Sequence, residues 1–235
     1  MVHLPFADRV EAGRLLAKEL SSRNIVSSPD SAVVLALTRG GVPVGFAVAD
    51  RLRLPLDVVV VRKLGVPWQP ELAMGAIANG TQILDDRTIR QLGIFADDIA
   101  EIVARELAEI DRREQLYRGG RQPVDLHGRT AIVVDDGLAT GSTMLAAVRY
   151  VHRLGPARIV VAVPVGSKEA LSLLRRNADI DDIICLATPH LFFAVGEWYR
   201  DFPQVGDSEV EHLLTESRQQ LRKHLSALVE QASAG

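Results

Sequence analysis

The chain has 235 residues, of which 47 % are hydrophobic, with a formal net charge of −3 and a single cysteine. Enough apolar residues are present to bury the core of one α/β domain, and the lone Cys185, set in the apolar run 183–187 as buried structural cysteines are, excludes an internal disulfide or a cysteine-built zinc site. The slightly acidic balance argues against a nucleic-acid partner, and with neither an apolar stretch of about twenty residues nor a signal-peptide core we expect a cytoplasmic protein with no membrane partner.

In chain order, strand-like apolar runs alternate with helix-like periodicity, which predicts an α/β fold with a mainly parallel sheet flanked by helices. Residues 6–20 read as an amphipathic helix with Phe6, Val10 and Leu16 on one side, 32–37 as a buried strand, 41–52 as a helix and 56–61 as a second strand. Residues 62–80 carry Gly and Pro without a clear period and are expected as a loop. A short strand at 82–84 precedes a long helix at 97–117, with Ile99, Val103, Leu107 and Ile110 at three- and four-residue spacing. A strand at 132–134 and a helix at 144–154 follow, then a strand at 159–163, a helix at 167–176 and a strand at 182–187. Residues 207–230 should form an amphipathic helix whose apolar side carries Val210, Leu214, Leu221, Leu225 and Leu228. With no repeat or low-complexity linker, the chain divides into an N-terminal helical segment at 1–30, a core at 31–206 and a C-terminal helix at 207–235.

Residues 131–144, Ala-Ile-Val-Val-Asp-Asp-Gly-Leu-Ala-Thr-Gly-Ser-Thr-Met, carry the chemistry. An apolar strand delivers two adjacent carboxylates to its end, where open α/β sheets bind ligands. Ala139, Thr140, Gly141, Ser142 and Thr143 then offer backbone N–H groups with little side-chain bulk at the positive end of the next helix, an arrangement suited to a phosphate. Asp135 and Asp136 would repel that phosphate, so their partners are hydroxyls or a divalent cation. A phosphate beside a vicinal diol describes ribose 5-phosphate. Adjacent acids at a buried strand end cost stability unless such a partner meets them, which weighs against an incidental turn. The Gly-Lys-Ser/Thr of a nucleoside-triphosphatase loop does not follow at the required spacing.

This segment resembles the signature of the type I phosphoribosyltransferases, a strand ending in two acids followed by Gly-x-Ala-Thr-Gly-Ser-Thr. The resemblance implies that family's Rossmann-like fold with a small hood. It also implies that the two acids hold the ribose 2′- and 3′-hydroxyls of phosphoribosyl pyrophosphate and that residues 139–143 hold its 5-phosphate. Mg2+ is implied as well, met by Asp135 and Asp136 indirectly through water and substrate. Leu37-Thr38-Arg39-Gly40-Gly41 resembles the family's pyrophosphate-binding loop, often the place of a non-proline cis peptide. Gly40 and Gly41 would let the backbone approach an anion and Arg39 would add a fixed charge. Arg62 and Lys63 open a segment in the position of the family's flexible loop, which closes over the site and excludes water, and this basic pair would carry leaving-group charge. Glu71, Met74 and residues 75–79 resemble a subgroup of uncharacterised bacterial members, and the resemblance spans about residues 32–205.

Residues 190–205 gather many of the aromatics. In the family, rings beyond the last strand stack on the acceptor base, which makes Phe193, Trp198, Tyr199 and Phe202 candidates, against the plainer reading of a hydrophobic cover. Ala139 stands where several purine-salvage members carry a third acid, which disfavours a hypoxanthine–guanine enzyme of the usual kind. His127, His152 and His190 are candidate proton carriers, although a lone histidine at the end of an element is usually structural. The expected activity is transfer of 5-phosphoribosyl from phosphoribosyl pyrophosphate to a small-molecule nitrogen acceptor, a nucleobase first among them. Asp135, Asp136, Arg62 and Lys63 are the catalytic set, and a homodimer is expected to bury the C-terminal stripe. The alternative is a non-catalytic sensor of phosphoribosyl pyrophosphate or of a nucleotide.

Overall fold

An unbroken apolar run, Ala32–Leu37, makes β1, and all six of its side chains are buried, as befits a strand covered on both faces. The structure, a computed structural model, describes residues 3–28 and 31–233; the side chains of Glu71 and of residues 228–233, Leu228 among them, lie outside the described residues. In chain order the elements are α1 (Arg9–Ser22), β1, α2 (Gly41–Leu52), β2 (Leu56–Val59), β3 (Val61–Val66), β4 (Gln69–Ala78) and β5 (Thr81–Leu84). They continue with α3 (Asp86–Leu92), α4 (Ala96–Arg118), β6 (Thr130–Val134), α5 (Ser142–His152), β7 (Arg158–Val165), α6 (Lys168–Leu174), β8 (Asp182–Ala187) and α7 (Asp207–Ser233).

Five strands form a parallel sheet in the order β2-β1-β6-β7-β8. Side chains alternate across it and build a core on each face. Val34, Ile132 and Val160 share one core with Leu16 of α1, Val48 of α2, Ile110 of α4 and Leu214 of α7. Val33, Val133 and Val161 share the other with Met144 and Val148 of α5 and Leu171 of α6. Helices α1 and α7 are therefore built into the same core as the sheet.

The expected loop at 62–80 is instead an antiparallel sheet, β3-β4-β5, that pairs Val61 with Ala78 and Leu64 with Gly75. Leu64, Val66, Met74 and Ile77 are buried. Register shifts on either side of Gly65 break the two-residue alternation on which a strand assignment depends, and a Cβ on Gly65 would collide with the Pro70 carbonyl. The strand expected at 56–61 divides at Val60 into β2 and β3. Helix α3 has no counterpart among the expected elements, because it buries no side chain and so shows no apolar period; Asp85 caps it by accepting hydrogen bonds from the Arg87 and Thr88 N–H groups.

The first helix starts at Arg9 rather than Phe6, since Asp8 is its N-cap and accepts from the Glu11 N–H. Phe6 pairs through its backbone with the segment around Tyr199. The stripe of α7 divides along its length: Val210 and Leu214 are buried in the core, Leu221 is half-buried and Leu225 is 43 % exposed. Its first half docks on its own chain, against the cluster that includes α2 and α4.

Candidate functional site

Strands β1 and β6 are neighbours, with Ala36 beside Val134, so the loops leaving them rise together at the carboxyl edge of the sheet. One loop is Asp135–Asp136 and the turn into α5; the other is Thr38-Arg39-Gly40 entering α2, with a cis Thr38–Arg39 peptide bond. The two loops touch. A Cβ on Gly40 would overlap the Asp136 carboxylate, and one on Gly41 would lie 2.8 Å from the Val134 carbonyl oxygen. Glycine is required at both positions by close approach rather than by dihedral angle.

Asp136 meets a partner that no motif announces. Arg9, at the start of α1, donates from Nε to Asp136 Oδ2 at 2.9 Å, with Nη2 at 2.9 Å from the same oxygen. Its Nη1 donates to the Pro203 carbonyl at 2.8 Å, and its guanidinium lies 3.7 Å from the Phe202 ring centroid. From the other side, Tyr199 Oη donates to the Asp136 carbonyl at 2.6 Å. Asp135 Oδ1 accepts from the Asp136 N–H at 2.9 Å. Burial raises the pKa of both acids; the charge of Asp136 pushes Asp135 further up, whereas Arg9 opposes the rise at Asp136. Two half-buried acids whose charge is this poorly accommodated suit a site completed by hydroxyls or a cation.

The loop at 139–143 forms the turn into α5. Gly141 adopts φ +83, Ala139 and Thr140 are exposed, and the turn is held from behind by Ser167 Oγ, which donates to the Ala139 carbonyl at 2.7 Å. Ser142 begins α5 and Thr143 is exposed in its first turn, so the N–H groups of this end are available to an anion.

Arg39 Nη1 lies 3.4 Å from Asp207 Oδ1, at the first residue of α7. Asp207 also accepts from Tyr117 Oη at 2.6 Å, and Arg112 Nη2 lies 3.5 Å from its other oxygen. The Tyr117 hydrogen bond, then the neighbouring arginines, hold the Asp207 carboxyl below its ordinary range. Burial pushes the Tyr117 phenol up. A cavity of about 480 Å³ is bounded by Arg9, Arg39, Gly40 and Asp136 and by residues 202–205. Thr38 Oγ1, in the same loop as Arg39, is buried and has no hydrogen-bond partner, so the loop retains an unused polar atom.

Arg62 and Lys63 lie elsewhere, on β3. Arg62 Nε donates to Glu106 Oε2 of α4 at 2.8 Å, and both basic residues line a different cavity of about 370 Å³ with Asp98, Glu101 and Arg105. The four candidate aromatics also separate. Tyr199 is buried against Phe6, with ring centroids 5.5 Å apart, so it is part of the floor and offers no open stacking face. One face of Phe202 is taken by Arg9, and Trp198 stacks on Phe192 with centroids 6.2 Å apart. Phe193 is 78 % exposed. The three candidate histidines have other partners: His152 lies 3.7 Å from Asp179, His190 Nδ1 is 3.0 Å from Lys168 Nζ, and His127 bridges to Pro156. Cys185 is a free thiol that donates to the Ala187 carbonyl.

Among the described residues no group of three His, Cys, Asp or Glu side chains is placed to hold a metal ion. The acid pair alone supplies too few oxygens for octahedral magnesium, so an ion held here would be completed by substrate and water oxygens. No described helix is long and apolar enough to cross a membrane.

The sequence matches the family model of the phosphoribosyl transferase domain over residues 8–192, a span that reaches back through α1 and includes Arg9. It is 47 % identical over 206 residues to Rv0571c of Mycobacterium tuberculosis, a phosphoribosyl transferase by name only; the match takes in 87 % of this chain and 45 % of that one. The chain thus spans about half the length of the curated relatives it matches. Over 138 residues, 58 % of this chain and 56 % of the relative, it is 35 % identical to a uracil phosphoribosyltransferase of Bifidobacterium adolescentis. The crystal structure of TT1426 from Thermus thermophilus superposes with a TM-score of 0.74 at 41 % identity, over 91 % of this chain and 99 % of that one. With the acid pair, the two flanking loops and these matches in agreement, the chain belongs to the phosphoribosyl transferase family.

Proposed function

We propose that the protein transfers the 5-phosphoribosyl group of phosphoribosyl pyrophosphate to a ring nitrogen of a nucleobase, with release of pyrophosphate and inversion at the anomeric carbon. The observation that carries this reading is the contact between the Asp135–Asp136 strand end and the Thr38–Gly41 loop, beside the N-terminus of α5. The acids accept hydrogen bonds from the ribose hydroxyls, and the 139–143 turn takes the 5-phosphate on its N–H groups. Together they fix the sugar while its bond to the diphosphate oxygen breaks and the bond to the acceptor nitrogen forms. Positive charge that grows at the anomeric carbon is met by the carboxylates.

Arg39 and the 38–41 backbone receive the diphosphate, whereas Arg62 and Lys63 line a separate cavity beside α4. Asp135 and Asp136 would meet Mg2+ through water and substrate, and the ion would supply positive charge to the leaving group. The nitrogen nucleophile gives up its proton as the new bond closes, and the departing pyrophosphate, directly or through water, takes it. No covalent intermediate is required. A nucleobase is favoured as acceptor by the uracil phosphoribosyltransferase relative, and Phe193, the most exposed of the four candidate rings, is the one assigned to stack on it.

The test is release of pyrophosphate from magnesium phosphoribosyl pyrophosphate with a panel of nucleobases. Release dependent on one base supports the transferase. Tight binding of phosphoribosyl pyrophosphate without release under any base contradicts it and assigns the protein as a sensor.

A further inference from the structure

Arg9 lies 127 residues from Asp136 in sequence and reaches it across the carboxyl edge of the sheet. It is 8 % exposed, and its Nε, Nη1 and Nη2 already serve Asp136 and Pro203, while Phe202 covers one face of the guanidinium. Little of the group is left for a ligand. Asp136 is fixed between this guanidinium on one side and the Gly40 backbone on the other, which sets the direction of its carboxylate. The contact is not isolated. Phe6 donates from its N–H to the Trp198 carbonyl and accepts from Arg200, Asp201 donates to the Ala7 carbonyl, and Tyr199 Oη holds the Asp136 backbone. Residues 6–9 and 198–203 therefore form one unit clamped onto the acid pair.

We propose that Arg9 is a positioning residue that aims Asp136 at the ribose hydroxyls and locks the acceptor-side segment 198–203 to the same carboxylate. The proposal rests on the phosphoribosyl reading of the acid pair. A guanidinium suits this role because its planar fork can bind a carboxylate, a carbonyl and a ring face at once, which an ammonium cannot. Loss of the fork leaves the half-buried carboxylate unpaired and free to turn.

The experiment is calorimetric titration of the wild type, Arg9→Gln and Arg9→Lys with two probes, ribose 5-phosphate and magnesium pyrophosphate. Ribose 5-phosphate reports on the acids and the 5-phosphate turn, and pyrophosphate on the Arg39 loop. The expected result is a loss of at least about tenfold in ribose 5-phosphate affinity in Arg9→Gln and a smaller loss in Arg9→Lys, with pyrophosphate affinity unchanged. If Arg9→Gln fails to fold, Arg9→Lys alone decides. Unchanged affinity for both probes in a folded variant overturns the proposal, and an equal fall for both overturns it in favour of a diphosphate contact or a general loss of structure. Failure of the wild type to bind either probe instead overturns the phosphoribosyl reading itself.

Discussion

Arg39 of the 38–41 loop and Asp207 at the start of α7 form an ion pair, 3.4 Å from Nη1 to Oδ1, and Tyr117 Oη donates to that same oxygen at 2.6 Å. The last helix is thereby joined to a loop that lies 168 residues earlier in sequence. Asp207→Asn keeps the side-chain shape and removes the charge. It is expected to cost about 1–3 kcal/mol of stability and to raise the KM for phosphoribosyl pyrophosphate, because Arg39 loses its anchor. Since the folded carboxyl titrates below its ordinary value of 3.8, the wild-type contribution is complete above that value and disappears as pH falls through the folded pKa. Asp207→Asn should lack this acid-sensitive component in thermal melts recorded against pH.

Gly40→Ala places a methyl group against the Asp136 carboxylate. The three nearest atoms all belong to the Asp136 carboxylate, so that group must turn aside and cannot hold its direction. Affinity for phosphoribosyl pyrophosphate should fall by roughly a hundredfold. An affinity equal to that of the wild type would show that the acid pair does not need this geometry.

The β3–β4 hairpin should exchange its amide hydrogens slowly even without ligand, since its ladder is continuous from Val61 to Leu64 and Leu64, Met74 and Ile77 are buried. The turn at Pro67–Trp68 should exchange fast. Fast exchange throughout 61–78 that slows when magnesium phosphoribosyl pyrophosphate is added would favour a lid that orders on binding.

The two ends of α7 should respond differently to substitution. Leu214→Ala, at a site only 1 % exposed, is expected to cost about 2–5 kcal/mol. Leu221→Asp with Leu225→Asp should leave the melting temperature nearly unchanged and, if the exposed half of the helix joins two copies, convert a dimer to a monomer in sedimentation. A dimer that persists in the folded double variant would exclude this face as the interface.

The parallel sheet was legible because its inner strands β1, β6 and β7 are nearly continuous runs of buried apolar residues, and the sequence boundaries of β1, α2 and β8 agree with the structure residue for residue. The acid pair and the glycine loop were legible because their chemistry is local. What the sequence hid depends on distant partners or on irregular pairing. The bulged register near Gly65 disguised a hairpin, and α3, which has no fully buried side chain, left no periodic trace. Arg9 carried one faint local signal, its place after the Asp8 cap, and nothing in one chain pairs it with Asp136. Tyr199 was visible as an aromatic, but its role as a buried prop beneath Asp136 rests on a contact across 63 residues.

The central claim is that Asp135 and Asp136 hold the ribose of phosphoribosyl pyrophosphate. The most direct measurement is titration of magnesium phosphoribosyl pyrophosphate into the wild type and into the double variant Asp135→Asn, Asp136→Asn, with circular dichroism to establish that both are folded. Saturable binding by the wild type is predicted, with a loss of about a hundredfold or more in the variant, since two charge-assisted hydrogen-bonding sites are removed. Equal affinity in the two folded proteins would contradict the claim.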